Sequence, residues 1–330
     1  MLNKGGELLM QEKLLWQEQI AAWLKQAVTI EDVFELRDWP ESKVLRFTGA
    51  VADEQRTFYA KQSRTGMEQE LAVFRLVESD KDFPAPRGKL ILLAGEEWLL
   101  MEDARGIMLA HSSDPKHYLL AVRALARFHE LGCTREWRAQ LQKLVDLRER
   151  LPVIADSVLG HVDERVQSDI FMGVDLELLD SVRRKLASSW CEVQARLNSY
   201  PVSLVHGDCH GGNVFLANEK ICLIDWGSMT LGPGLLDLVG LIDVAIRMGD
   251  QIGNWHELLT AYWSELLPNT RQAYGDMDEA FQMLRVCRAL LELEWFVRSG
   301  EDYGSRANRE LKIVHGCLAE MSSEKRGVRG

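Results

Sequence analysis

The sequence has no apolar run of the roughly 18 residues that a membrane-spanning helix requires. It has no Cys-x-x-Cys pair, no glycine-rich Gly-x-Gly-x-x-Gly loop, no internal repeat and no low-complexity tract. Each absence narrows the chemistry. Without a long apolar run or an apolar signal segment, and with acids near the N-terminus, a cytoplasmic protein is expected that does not engage a membrane. The six cysteines (133, 191, 209, 222, 287 and 317) are scattered, which reads as reduced thiols and not as a disulfide framework or a zinc site. Cys209 and Cys222 are expected to be packing residues. A net charge of −11 argues against nucleic acid as a partner. Lysine is absent from Asp237 to Asp302, where twelve acids face five arginines, a local balance of 5 − 12 = −7. A cleft lined this way would draw a cationic substrate; a solvated acidic surface is the plainer reading.

The 330 residues suffice for two lobes with a sizeable core, and 46% hydrophobic with 27% charged residues is ordinary for a globular chain. Lys4-Gly5-Gly6-Glu7 makes a poor helix start, and Met10 is a plausible alternative initiator. From Gln11 to Ala27 the pattern is helical, with Leu14, Leu15, Ile20, Ala21, Trp23 and Leu24 on a mostly apolar face. Strands are expected at 33–36, 44–51 and 57–62, with turns at 38–42 and 52–56. Three such strands form an antiparallel meander. A helix over 67–78 follows, and Phe83-Pro84-Ala85-Pro86 ends it. Two further strands lie at 89–93 and 97–101. Beyond Asp114 nearly everything reads as helix. Over 138–200 two or three helices are expected, with breaks near Gly160 and Gly173. Later helices split at Gly249, Pro268 and Gly300, and residues 322–330 look frayed.

The chemistry concentrates in residues 204–228. Asp208 and Asn213 lie five apart in a loop too rich in glycine to be helical. Val214–Leu216 and Lys220–Ile224 read as two short strands around a turn, and Asp225 ends the second. A loop acid, a loop amide and a strand-end acid can converge across such a hairpin. That set suits phosphoryl transfer: one carboxylate takes the proton of an attacking hydroxyl, while the amide and the second acid offer the hard oxygen ligands that magnesium requires.

His206-Gly207-Asp208-Cys209-His210-Gly211-Gly212-Asn213 followed by Ile224-Asp225-Trp226 resembles the aminoglycoside phosphotransferase and choline kinase group, whose pattern is His-Gly-Asp-x-His-x-x-Asn and then Ile-Asp-Trp/Phe. Gly211 stands where proline is frequent. The resemblance covers roughly residues 30–300 and implies an α+β, protein-kinase-like two-lobe fold: a small antiparallel N-lobe sheet with one main helix over residues 1–102, and a larger, mostly helical C-lobe over 103–330. It implies ATP and Mg2+ as cofactors and a small-molecule hydroxyl as acceptor. Asp208 would be the catalytic base, and Asn213 and Asp225 the metal ligands. Lys61 would hold the nucleotide phosphates, and Glu70, in a segment like the family's Glu-Ala-x-x-Leu-x-x-Leu, would hold Lys61. The loop over the phosphates would be Trp39–Lys43, with Ser42 as donor. Backbone groups from Met101 to Asp103 would meet the adenine edge. His206, His210 and Asp237 would brace the catalytic loop.

The acceptor is less defined. Asp243, Glu292, Glu294 and Trp295 are candidates for an ammonium group through charge and cation–π contacts, although Leu290–Trp295 reads equally as an amphipathic core helix. Aminoglycosides, amino alcohols, sugars and homoserine-like acceptors stay open. Alternatives from other classes are a non-catalytic nucleotide-binding module, a metal-dependent hydrolase using His206, Asp208 and His210, and a protein kinase. Against the last stand the lack of an arginine before Asp208 and of an Ala-Pro-Glu segment after Asp225.

Overall fold

The computed structural model describes residues 4–40, 42–63, 68–79, 83–133 and 144–327. Among them the chain forms two compact units, one of residues 4–111 and 212–229, the other of residues 112–133, 144–211 and 230–327.

The first unit is built on a five-stranded antiparallel sheet of order β1-β2-β3-β5-β4. Its strands are β1 (Val28–Asp38), β2 (Ser42–Val51), β3 (Glu54–Ser63), β4 (Gly88–Leu93) and β5 (Glu96–Glu102). Side chains alternate across a strand, and β2 buries Leu45, Phe47 and Val51 on one face. These residues join Ile30, Phe58, Ala60, Ile91, Trp98 and Leu100 in one core with Trp16 and Ile20 of α1 (Lys4–Leu24). The helix therefore starts at Lys4, through the Gly5-Gly6 pair that read as a poor start, because its later turns are anchored in the sheet core. Helix α2 (Glu68–Ser79) packs against β4, with Val73, Phe74 and Leu76 buried. The same unit includes β6 (Ile107–Met108), β8 (Val214–Ala217) and β9 (Lys220–Leu223), which form a second small sheet of order β6-β8-β9.

The second unit is helical apart from the antiparallel pair β7 (Ser203–Val205) and β10 (Thr230–Gly232). Its helices are α3 (Pro115–Gly132), α4 (Leu147–Gln167), α5 (Leu176–Ser199), α6 (Leu235–Met248), α7 (Trp255–Glu265), α8 (Pro268–Tyr274), α9 (Met277–Ser299) and α10 (Gly304–Gly327). Gly249 and Gly300 cap α6 and α9 in left-handed conformations, and Pro268 opens α8, so these breaks fall where the sequence puts them. Gly160 does not break its helix. It is exposed on α4, where a glycine costs about 1 kcal/mol relative to alanine, and buried Leu151, Ile154, Val158, Leu159 and Val162 outweigh that. The break comes after Gln167, with Gly173 at φ 71°. Residues 138–143 of the expected helical stretch and the last three residues lie outside the described residues. A small antiparallel sheet unit and a larger helical unit are the two-lobe architecture the resemblance implied.

Candidate active site

Strand alternation sets the first part of the site. Ala60 points into the α1 core, so its neighbour Lys61 faces the other side of the sheet, with Val44 and Leu99 as cross-strand partners. Lys61 is only 4% exposed. Its Nζ lies 2.8 Å and 3.0 Å from the two carboxylate oxygens of Glu70 on α2, and 2.7 Å from Asp225 Oδ1. An ammonium group taken out of water needs such partners. Burial pushes the Glu70 carboxyl up; Lys61 offsets that in part, while the Asp225 charge adds to it.

The β8–β9 hairpin brings in Asp225. Asn218 and Glu219 at its tip both have positive φ, 48° and 63°, as a tight two-residue hairpin turn demands. The register runs Val214↔Leu223. One rung further, the Ile224 N–H donates to the Asn213 carbonyl at 3.1 Å. Asn213 and Asp225 thus share the open end of the hairpin. Asp225 is left-handed (φ 60°, ψ 63°), a conformation Asp tolerates better than most residues. The following residue pins it: Trp226 is fully buried, its Nε1–H donates to the Leu223 carbonyl at 2.9 Å, and its ring lies 5.0 Å from that of Phe83. Strain of on the order of 1–3 kcal/mol is held there by the packing.

The other nucleotide candidates belong to the sheet. Ser42 opens β2 and is 2% exposed; its N–H donates to the Trp39 carbonyl at 3.2 Å, closing the β1–β2 turn. Glu41, within the expected phosphate loop, lies outside the described residues. Met101 pairs with Tyr59 on one side and Gly88 on the other. The Asp103 N–H donates to the Thr57 carbonyl at 3.2 Å. Burial raises the Asp103 carboxyl, and the neighbouring Tyr59 hydroxyl, Ala104 N–H and Arg105 offset that in part. Cys222 is pushed up to about 12 by burial, with the Asp103 charge adding to the effect.

In the helical unit the loop after β7 is held by one buried carboxylate. Asp237, in the first turn of α6, accepts from the His206 N–H at 2.7 Å and the Gly207 N–H at 2.9 Å. His129 Nε2 lies 3.1 Å from Asp237 Oδ2, and His129 Nδ1 lies 2.7 Å from the Tyr262 hydroxyl. Burial alone would raise the Asp237 carboxyl; the His129 hydrogen bond and the neighbouring histidines outweigh it and hold it below its ordinary value. Two glycines permit the arrangement. Gly207 has φ 82°, and a Cβ at Gly234 would sit 2.4 Å from the His129 ring. His206 is fully buried, with Nδ1 accepting from the Asp208 N–H at 3.3 Å. Asp208 itself is half-buried, with His210 Nε2 at 3.7 Å from Oδ2 and Arg288 Nη2 at 3.9 Å from Oδ1. Arg288 Nη1 also donates to the Gly207 carbonyl at 2.6 Å. Cys209 is buried, and burial raises its thiol well above the usual range.

The four acceptor candidates are differently engaged. Asp243 pairs with Arg285 at 3.2 Å, and Glu292 pairs with Arg288. Glu294 bridges Arg150 at 2.7 Å and Arg298 at 2.6 Å. Trp295 is exposed and packs against Phe296 and Tyr303. Other acids of the same stretch hold helices together, as Glu265 with Arg127 and Glu279 with Arg196 do. Of the acids in this stretch, Asp243, Glu265, Glu279, Glu292 and Glu294 are thus paired with arginines. Sequence reasoning missed two residues, His129 and Arg288. His129 reads from the sequence as a packed helix residue, and Arg288, about eighty positions from the loop it contacts, carried no signal. Among the described residues no group of three His, Cys, Asp or Glu side chains is arranged to hold a metal, and no helix is long and apolar enough to cross a membrane.

Solved structures with this fold include the choline kinase LicA from Streptococcus pneumoniae, 16% identical at a TM-score of 0.59, covering 94% of this chain and 99% of that one. The macrolide 2'-phosphotransferase MphH from Brachybacterium faecium is 14% identical at a TM-score of 0.55, covering 89% of this chain and 96% of that one. An ADP-bound aminoglycoside phosphotransferase, APH(2'')-Ib, is 15% identical at a TM-score of 0.54, covering 92% and 97%. At these identities the likeness is one of fold. No curated protein matches the sequence. A family model does match, over residues 29–287, and the chain belongs to the phosphotransferase enzyme family.

Proposed function

We propose that the protein is a small-molecule kinase that moves the γ-phosphoryl group of ATP, with magnesium, to a hydroxyl of its acceptor. The observation that carries this reading is the buried Lys61, held between Glu70 and Asp225. A lysine shielded this far from water, with acids on two sides, is costly unless it serves a purpose, and anionic phosphates are what it suits. Asn213 and Asp225, sharing the hairpin end, form an oxygen donor set that fits magnesium. The ion's contribution would be to neutralise charge on the phosphates. Ser42 and the backbone from Met101 to Asp103 are the proposed neighbours of the nucleotide. A linear division near residue 102 then separates nucleotide-binding from acceptor-binding residues, with the 212–229 hairpin contributing to the former.

In this mechanism the acceptor oxygen forms a bond to the γ-phosphorus as the bond to the β-γ bridging oxygen breaks, and ADP leaves. The hydroxyl proton passes to the Asp208 carboxylate and then to solvent. Asp237 and His129 act on Asp208 indirectly, by fixing the His206-Gly207 backbone. The metal-hydrolase alternative gains nothing from the geometry, since His206 Nδ1 is occupied by the Asp208 N–H. The test is acceptor-dependent ADP release over a panel of amino alcohols, aminoglycosides, sugars and hydroxy acids. Asp208→Asn is expected to lower turnover by roughly 10²–10⁴-fold while leaving nucleotide binding largely intact. Near wild-type turnover in that variant would remove Asp208 as the base.

A further inference from the structure

The sheet face that carries Lys61 holds two further cations, Arg37 on β1 and Arg46 on β2. Their side is fixed by pairing, since residues opposite one another in an antiparallel sheet point the same way. One row across the sheet runs from Arg37 through Val44 and Lys61 to Leu99. The next runs from Phe34 through Arg46 and Tyr59 to Met101. An irregularity in β1 between Glu35 and Arg37 brings Phe34 and Arg37, three positions apart, onto the same face. Leu45 and Phe47, which alternate with Val44 and Arg46 along β2, point the other way, into the core under α1. The first row thus passes through the lysine read as the phosphate ligand, and the second leads to the strand end read as the base site. Arg46 is the diagonal neighbour of Lys61, a spacing of about 7–8 Å, and the charge of Arg37 is felt at Glu70.

Both arginines are half-buried and rest on aromatic rings. Arg37 Cζ lies 4.8 Å from the centroid of the Trp39 ring, and Arg46 Cζ lies 4.7 Å from that of Phe34, within the range of a cation–π contact. In each, Nε is shut off from solvent and has no acceptor. Among the described residues neither side chain makes a hydrogen bond or an ion pair. Asp32, opposite Thr48, and Asp103, beside Tyr59, are also on this face, and neither is bonded to them. Lys61 differs, with Glu70 and Asp225 both within ion-pair distance. A surface arginine can swing into water and keep all its donors solvated, so a sealed donor on each of two neighbouring arginines calls for a reason. The rings supply the orientation, and they are themselves 43% and 58% exposed for Phe34 and Trp39, so this edge of the face is left partly open. A guanidinium fixed on a ring, short of acceptors and beside a phosphate-binding lysine suits phosphate oxygens, which its fork matches.

We propose that Arg37 and Arg46 are nucleotide-binding residues which, with Lys61, hold the polyphosphate of the nucleoside triphosphate against the β1-β2-β3 face. This inference rests on the phosphotransferase reading above and adds to its nucleotide site two residues that no motif marks.

The test is titration of the full-length protein with ATP, ADP and AMP, each in the presence of magnesium, by calorimetry or by competition. Arg37→Gln and Arg46→Gln are each expected to weaken ATP roughly ten- to a hundredfold, ADP less, and AMP least. Arg37→Lys and Arg46→Lys, which keep the charge and lose the fork, should restore part of the affinity; they read the same dependence on phosphate number at smaller amplitude if a glutamine variant does not fold. Arg56→Gln, which removes the same charge from β3, should bind all three nucleotides as the wild type does. Failure of the wild type to bind ATP would overturn the phosphotransferase reading itself. With normal binding in the wild type, unchanged ATP affinity in one glutamine variant would remove that arginine. Unchanged affinity in both, or an equal loss for ATP, ADP and AMP, would overturn the polyphosphate role alone.

Discussion

Replacing Asp237 by asparagine isolates the one carboxylate on which the His206-Gly207-Asp208 loop hangs. The side chain is 2% exposed and receives two backbone N–H donors and His129. An amide keeps one acceptor oxygen and turns an NH2 group towards at least one of these donors. A buried donor without an acceptor costs about 1–3 kcal/mol, and the loss of a charge-assisted bond adds to this. For a chain of this size each kcal/mol moves Tm by about 2–4 °C, so a fall of several degrees at neutral pH is expected. The pH dependence has a definite sign. The folded Asp237 carboxyl lies below its ordinary value of 3.8. Its contribution is therefore fully present above that value and is lost as pH falls through the lower, folded one. Unfolding of both proteins by urea, from neutral pH down to about pH 3, should show a deficit in Asp237→Asn that is constant above the ordinary aspartate range and shrinks below it. Equal stability at neutral pH, or a deficit that grows as pH falls, would refute the reasoning.

Two further outcomes follow from burial. Lys61→Ala leaves Glu70, 2% exposed, without its cation; unfolding by denaturant should show a loss of about 3–5 kcal/mol, and nucleotide titration should show binding lost with it. A thiol reagent should label exposed Cys191 first, while Cys209 and Cys287, buried and with thiols pushed up by burial, stay unmodified until the chain unfolds; mass spectrometry of timed samples reads the order directly.

What the sequence revealed depended on how local each feature is. Asp208, Asn213 and Asp225 stand out because loop, strand and turn signals lie within twenty residues of one another. Lys61 was legible only through the family resemblance; in the folded strand Phe58 and Ala60 face the core, so position 61 faces the other way. The partner of Asp237 was not visible, since His129 reads as a packed helix residue and its contact is 108 residues away in sequence. The arginine partners of the acids were not visible. Glu294 meets Arg150 across 144 positions, and no periodicity encodes such a pair. A count of charges along the chain left a cation-seeking cleft and a solvated acidic surface both open, where the folded helices hold several of those acids in ion pairs. The early start of α1 was hidden for a similar reason: Gly5 and Gly6 weaken a helix locally, whereas Trp16 and Ile20 anchor it through a sheet formed later in the chain.

The central claim is that Asp225, with Lys61 and Asn213, holds a magnesium nucleotide. Calorimetric titration of wild type and Asp225→Ala with ATP, each with and without magnesium, tests it most directly. The account predicts tight, magnesium-dependent binding in the wild type and loss of the magnesium-dependent part in Asp225→Ala. Undiminished magnesium-dependent binding in the variant, or no ATP binding in the wild type, would contradict it.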